Sequence, residues 1–325
     1  MFPLTHNPAP EPAEPALKLI FMGTPEFAVA NLRALVEGNQ NVVAVVTSPD
    51  KPAGRGLQLT ASPVKQYATS VGIPVLQPEK MRDSVFLEQL AAFGADLFVV
   101  VAFRMLPQVV WAMPPRGTFN LHASLLPQYR GAAPINWAII NGETQTGCTT
   151  FFIEQEIDTG KIIFQETEPI LPNDTVGQLY ERLMNKGAAL TLKTVRAIAA
   201  GNYPQTPQPI AETPRAAPKI FKETCQINWQ QPAENIRNFV RGLAPYPAAW
   251  TTLGGKMCKI FDTKVVTDTT HLETMQTVSN DPKMLSDNKK YLFVETTDGW
   301  ISVEDLQIEG KKRMKTDEFL RGFRF

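Results

Sequence analysis

The sequence predicts an α/β protein: a doubly wound, mostly parallel sheet followed by a small OB-like β-barrel domain. Three observations predict it. From residue 17 to residue 201, short apolar runs alternate with helical patterns, the text of βαβ units. A proline-rich stretch at 202–218, NYPQTPQPIAETPRAAP, then breaks all periodicity and reads as a linker. Beyond it, short alternating segments separated by turn residues suggest a small barrel or sandwich.

The elements follow in order. Residues 1–16, MFPLTHNPAPEPAEPA, hold prolines and acids with no basic or apolar stretch, so they read as a disordered or polyproline-like tail rather than a signal peptide. LKLIFMG (17–23) is a strand ending in a tight turn. TPEFAVANLRALVEG (24–38) is a helix, with Thr24 at the cap, Pro25 just inside and Gly38 at the end. NVVAVVT (41–47) is a buried strand, and VKQYATSVG (64–72) and FLEQLAAFG (86–94) are helices. DLFVVVAF (96–103) reads as a strand covered on both faces. GTFNLHAS (117–124) is the next strand, and residues 147–153 and 161–166 are two more around a DTGK turn. A long helix spans 175–201. After the linker come a helix at 233–243 and the strands AAWTTL, KMCKIFDTKVV, YLFVETTDG and WISVEDLQIEG. The expected organisation is therefore a tail (1–16), a catalytic domain (17–201), a linker (202–218) and a C-terminal domain (219–325).

At 325 residues, 43% apolar and with no net charge, the chain has length for two cores and no global field that would advertise a polyanion or a membrane. Residues 215–325 carry 17 basic and 14 acidic residues, a weak local excess that suits a polyanion partner. The three cysteines have no paired spacing, which argues against a zinc site or a disulfide framework and suits a reducing, cytoplasmic setting. No apolar run reaches the length of a membrane span.

Five stretches bear on chemistry. FMGTPEF (21–27) has one glycine where a dinucleotide fingerprint needs three, so a tight strand-to-helix turn is the better reading. FNLHASLLPQYRGAAP (119–134) places Asn120 and His122 on one strand face at the strand's C-terminal end, where doubly wound folds hold ligands. An amide donor beside a proton acceptor suits nucleophilic attack on a carbonyl; a His satisfied by backbone competes with that reading, and the spacing does not choose. Ser124 as a nucleophile lacks the GxSxG elbow. Asp158, in EQEIDTGKII, is a carboxylate in a tight turn, able to orient a His or simply to make an Asx-turn. The loop SPDKPAGRGLQLTASPVK (48–65) presents Arg55 between two glycines, and APKIFKETCQINW presents Lys219 and Lys222 where the second domain begins.

Together these stretches, in this order and spacing, resemble the methionyl-tRNA formyltransferase family over residues 17–325. The resemblance implies a formyltransferase-like Rossmann variant with an OB-like tRNA-contacting domain. It implies 10-formyltetrahydrofolate as formyl donor, methionyl initiator tRNA as acceptor, no metal and a monomer. It carries catalytic roles onto Asn120, His122 and Asp158, folate contact onto Ser124, Leu125, Leu126 and Pro127, and tRNA contact onto Arg55, Lys219 and Lys222. Two positions depart from the family pattern: Ala123 stands where Gly is common, and AFRMLP brings Arg104 and Met105 to a segment near the expected pterin pocket. A formyltransferase for nucleotide-linked amino sugars, a formyl-folate hydrolase and a non-catalytic RNA-binding protein are the alternatives.

Overall fold

A computed structural model describes residues 17–53, 58–210, 213–323 and 325. The expected tail and Arg55 lie outside the described residues. The chain divides into two compact units: residues up to Thr118 with Val195–Asn202, and Phe119–Thr194 with Tyr203–Phe325.

The first unit runs β1 (Leu19–Gly23), α1 (Glu26–Glu37), β2 (Val42–Val46), β3 (Lys51–Ala53), β4 (Gln58–Thr60), α2 (Pro63–Ser70), β5 (Val75–Leu76), α3 (Ser84–Ala92), β6 (Leu97–Val101) and α4 (Gln108–Trp111). The strands β6, β1, β2 and β5 pair in that order, all parallel. Every residue of β1 and β6 is buried, which is why both read as unbroken apolar runs. Ser62 caps α2 by accepting from Lys65 N–H, and Asp83 caps α3 by accepting from Phe86 N–H. Thr24 does not cap α1 as expected. Pro25 occupies that position without a side-chain bond, and having no N–H it leaves no donor there to satisfy.

Gly23 is explained by packing. A Cβ there would lie 2.5 Å from the Ala28 Cβ and 2.9 Å from the Val101 carbonyl oxygen, so only glycine lets α1 lie this close to the strands. The 48–65 stretch is more regular than expected, because β3 and β4 form an antiparallel hairpin within it. Its roots are pinned: Lys65 donates to Asp50 at 2.6 Å, Gln77 donates to the same carboxylate at 2.8 Å, and the Thr47 and Ser62 hydroxyls share a 2.8 Å bond. The Arg104 guanidinium donates to the carbonyls of Pro78 and of Glu79, while Met105 is exposed.

The second unit contains β7 (Thr118–His122, from Phe119 on), β8 (Arg130–Gly131), α5 (Pro134–Ile140), β9 (Gln145–Phe152), β10 (Ile162–Pro169), most of α6 (Val176–Ala199), β11 (Ala216–Ala217) and α7 (Ala233–Leu243). The strand β9 runs antiparallel to both β7 and β10. The stretch expected as a linker is bound at separate places among its described residues: Thr206 bridges Ile162, and β11 pairs in parallel with β8. Helix α6 is joined to β9 by a 2.9 Å Thr150–Thr194 hydroxyl bond, and the Cys148 thiol, its pKa pushed up to about 12 by burial, faces the Leu183 carbonyl.

The C-terminal part continues with β12 (Ala249–Leu253), β13 (Lys256–Val265), β14 (Gln276–Asn280), β15 (Lys283–Ser286), β16 (Leu292–Glu295), β17 (Trp300–Ile308), β18 (Met314–Lys315) and α8 (Thr316–Gly322). These strands pair antiparallel in the order β12-β13-β17-β16-β15-β14, with β18 on β17. Irregularities in β13 at Ile260–Thr263 bend the sheet. The expected barrel is thus a curled, open half-barrel over Trp229, Ile236, Val240, Ile260, Leu306 and Leu320. The polar strand β14, QTVSN, lacks the apolar alternation that would have announced it.

Three arginines grip the turn between β10 and α6. Arg182 donates to Glu168 at 2.7 Å and to both Asp174 oxygens, Arg237 to the Pro172 carbonyl and Asn173, and Arg241 to the Asp174 carbonyl. Burial alone would raise the Asp174 carboxyl, but the bonds from Arg182 and the Leu171 N–H outweigh it and hold it below the ordinary carboxylate range. A carboxyl that binds its proton less tightly when folded stabilises fully above its unfolded value of about 3.9, and loses that contribution as pH falls through the lower folded value. Asp174→Asn is expected to cost about 1–3 kcal/mol at pH 7 and to flatten the acid side of a plot of Tm against pH. An unaltered acid slope would count against this account.

Candidate active site

The strand β7 ends in the polar cluster. Asn120 and His122 sit opposite Phe151 and Thr149 of β9, and their side chains leave the same face. Asn120 is half-buried, and among the described residues its amide is tied to no protein partner. His122 is only 6% exposed. Its Nε2 lies 2.8 Å from the Tyr129 carbonyl oxygen. A carbonyl only accepts, so Nε2 carries the hydrogen, and a neutral ring keeps its lone pair on Nδ1.

That Nδ1 faces Asp158 Oδ2 at 3.8 Å, too long for a hydrogen bond but within ion-pair reach. Asp158 has φ +56°, in the left-handed region that Asp tolerates better than most residues. Two bonds pin it there: Oδ2 accepts the Gly131 N–H at 2.9 Å, and its carbonyl accepts Gln208 Nε2 at 2.8 Å. Gln208 donates also to the Gly160 carbonyl and accepts from Arg130.

The partners of both groups come from one short segment. Tyr129 supplies the carbonyl to His122, and Gly131 the N–H to Asp158. Tyr129 has φ +60°, which costs a non-glycine residue about 1–2 kcal/mol. Its N–H donates to the Arg215 carbonyl at 2.6 Å. Its phenol donates to Glu143 at 2.5 Å and receives N–H bonds from Asn141 and Arg215, while Arg215 also donates to Glu143 at 2.6 Å. Burial first, and then the Glu143 bond, push the Tyr129 phenol above its ordinary range.

The loop after β7 is clamped from below. Thr149 Oγ1 donates to the Ser124 carbonyl at 2.7 Å and accepts the Leu126 N–H, and Gln165 donates to both Thr149 and the Leu126 carbonyl. Ser124 is fully buried, and its hydroxyl donates to the Gln128 carbonyl at 2.6 Å, so it is not placed as a nucleophile. Leu126 packs with Phe151 and Ile162, leaving Leu125 and Pro127 half-exposed. Lys219 and Lys222 are exposed and are not joined to this cluster: Lys219 stands over the Phe221 ring at 5.3 Å, and the Lys222 carbonyl accepts from Trp250. Among the described residues no three His, Cys, Asp or Glu side chains gather as a metal site.

The formyl transferase family model matches residues 17–195, and the model of the formyl transferase C-terminal domain matches residues 219–324. Methionyl-tRNA formyltransferase of Bacteroides thetaiotaomicron is 53% identical over 320 residues, covering 95% of this chain and 96% of its own. The chain belongs to the methionyl-tRNA formyltransferase family. Its relative from Parabacteroides distasonis is 55% identical over 315 residues, again covering 95% of this chain and 96% of its own. The fold is also that of WlaRD, a sugar 3N-formyl transferase solved with dTDP and 5-N-formyl-THF, at TM-score 0.63 and 19% identity over 92% of this chain and all of the other. HypX of Aquifex aeolicus, solved with tetrahydrofolic acid, matches at TM-score 0.62 and 17% identity, over 94% of this chain and 47% of its own.

Sequence reasoning picked out Asn120, His122 and Asp158 and missed Tyr129, Thr149, Gln208 and Arg215, the family member's own supports for them. None has a local signal. Gly131 does, as a glycine after Arg130, and its geometry explains it: φ is +125°, and a Cβ would lie 2.5 Å from the Ala217 carbonyl oxygen. Gly131→Ala is expected to destabilise the chain by about 1–3 kcal/mol and to lower activity by displacing the Asp158 partner. Thermal unfolding checks the first effect, and an unchanged Tm would refute the close approach.

Proposed function

We propose that this chain transfers the formyl group of 10-formyltetrahydrofolate to the α-amino group of methionyl initiator tRNA, with Asn120, His122 and Asp158 as its reacting site. The observation that carries the reading is the His122 ring, with Nε2–H committed to a carbonyl and Nδ1 turned toward a carboxylate. The loop that would meet the donor suits a flat reduced pterin. Leu125 and Pro127 offer apolar surface, and the Thr149 and Gln165 bonds hold the backbone still. Ser124 and Leu126 contribute through main chain rather than side chain.

The acceptor amine has a pKa of about 7.7–8.0, so part of it is neutral at physiological pH, and only the neutral form attacks. As it adds to the formyl carbon, Asn120 donates to the oxygen that gains charge. His122 Nδ1 takes the proton that the new C–N bond makes acidic. Asp158 Oδ2 stabilises the imidazolium, and the same proton then goes to the departing N10 of the donor. No covalent enzyme intermediate is required.

The half-barrel supports an RNA acceptor. Lys283 lies over Trp300 at 5.2 Å and Lys290 over Tyr291 at 4.9 Å, and Tyr291 stacks on the buried Phe293, so exposed cations sit against half-buried aromatic rings. Arg55, Lys219 and Lys222 add positive charge on the family's pattern. A charged tRNA acceptor makes the reaction cytoplasmic.

The deciding experiment gives the protein 10-formyltetrahydrofolate with charged initiator tRNA, with a nucleotide-linked amino sugar, or with no acceptor. Formyl-methionyl-tRNA is the expected product. Preferential formylation of the sugar, or hydrolysis alone, would overturn the assignment. His122→Ala and Asp158→Asn are expected to abolish nearly all transfer while tRNA binding persists, and Asn120→Ala to lower kcat by about 10²–10³. Near-normal turnover in any of the three would refute that residue's role.

A further inference from the structure

The Tyr129 main chain is the only described hydrogen-bond partner of the His122 ring, and Tyr129 does not hold its left-handed conformation unaided. Three of the contacts that keep it there involve Arg215, directly or through Glu143, and Asn141 donates to the same hydroxyl at 3.3 Å. The Arg215 carbonyl accepts the Tyr129 N–H at 2.6 Å, its guanidinium reaches the Tyr129 hydroxyl at 3.2 Å, and it bonds the Glu143 oxygen that also accepts that hydroxyl. The Arg215 N–H in turn donates to the Gln128 side chain at 2.8 Å, and the next two residues form the strand paired with Arg130 and Gly131.

We propose that Tyr129, Glu143 and Arg215 form a positioning unit that sets the tautomer and orientation of His122, so that the segment entering the C-terminal part of the chain governs which imidazole nitrogen faces the reaction. The proposal rests on the reading of His122 as the proton acceptor. None of the three side chains touches substrate in this account. They act through the Tyr129 carbonyl. If that carbonyl swings away, Nε2 loses its acceptor, the hydrogen is free to sit on Nδ1, and Nδ1 can no longer take a proton. Asp158 would then attract the Nδ1–H tautomer, which is the unproductive one.

The sequence makes the test clean, because the chain holds only three histidines. The full chain is labelled with ¹⁵N-histidine, and the tautomer of His122 is read by NMR in the wild type and in Tyr129→Phe, Glu143→Gln, Arg215→Ala and Arg215→Lys. The wild type is expected to show the Nε2–H tautomer. Tyr129→Phe, Glu143→Gln and Arg215→Ala are each expected to show a mixture of tautomers, with kcat down about tenfold and KM for both substrates within about twofold. Arg215→Lys, which keeps a charge on Glu143, is expected to recover part of both. A wild-type tautomer in all variants overturns the proposal, whether kcat falls or not. The readout needs no substrate, so it separates the two ideas. Altered tautomers in a protein that does not formylate tRNA would sink the assigned reaction and leave the positioning unit standing. Wild-type tautomers in an active formyltransferase would do the reverse.

Discussion

The hydrogen bond from His122 Nε2 to the Tyr129 carbonyl decides which imidazole nitrogen carries the hydrogen and which keeps its lone pair. Without it, a nearby carboxylate would draw the ring hydrogen to Nδ1, and the side of the ring that faces Asp158 would be a donor instead of an acceptor. The 3.8 Å gap between Nδ1 and Asp158 belongs with this arrangement. A gap of that size leaves the neutral ring unprotonated at Nδ1, yet gives an immediate counter-charge once a proton arrives. Orientation and counter-charge are thus divided between a carbonyl and a carboxylate.

The division propagates outward. Supports for both members of the pair lie on residues 129–131, of which Arg130–Gly131 form the short strand β8 paired with β11. Gln208, on the same proline-rich stretch, closes the far side of the Asp158 loop. A run that composition marks as a spacer is therefore part of the frame around His122 and Asp158. Prolines suit it, because a segment with few ways to move loses little entropy on being held. On the other side, Thr149 of β9 holds the loop after β7, so strand and loop around His122 share one support.

The strands and helices with strong period were legible: β1, β6, α6, α7 and β13 fall where their patterns put them. Short or polar elements were not. β14 has no apolar face to speak of, β5 and β11 are two residues each, and α5 is hidden behind a proline and a glycine. At the candidate site, Asn120 and His122 were legible as polar residues interrupting apolar text, and Asp158 as an acid in a tight-turn sequence. Tyr129 and Arg215 did not, because what matters in them is a main-chain angle and a pairing across 86 positions. Neither a left-handed φ at tyrosine nor a long-range bond leaves a local trace. Thr24 misled for a related reason: the helix starts one residue later than the cap pattern places it, with Pro25 at the N-cap and its carbonyl accepting the Ala28 N–H.

The arginine grip on residues 172–174 bears on reach. Arg237 and Arg241 belong to α7, the helix that the half-barrel wraps, and the carbonyls they hold belong to the turn that opens α6. Asn136 of α5 adds a bond to the Gly242 carbonyl, next to Arg241 in the last turn of the same helix. Tied there to both α5 and the turn before α6, the C-terminal half of α7 is anchored on two sides. A long acceptor lying along the half-barrel would meet a platform at fixed span from His122, so that such a surface works as a ruler and the bending falls to the polymer.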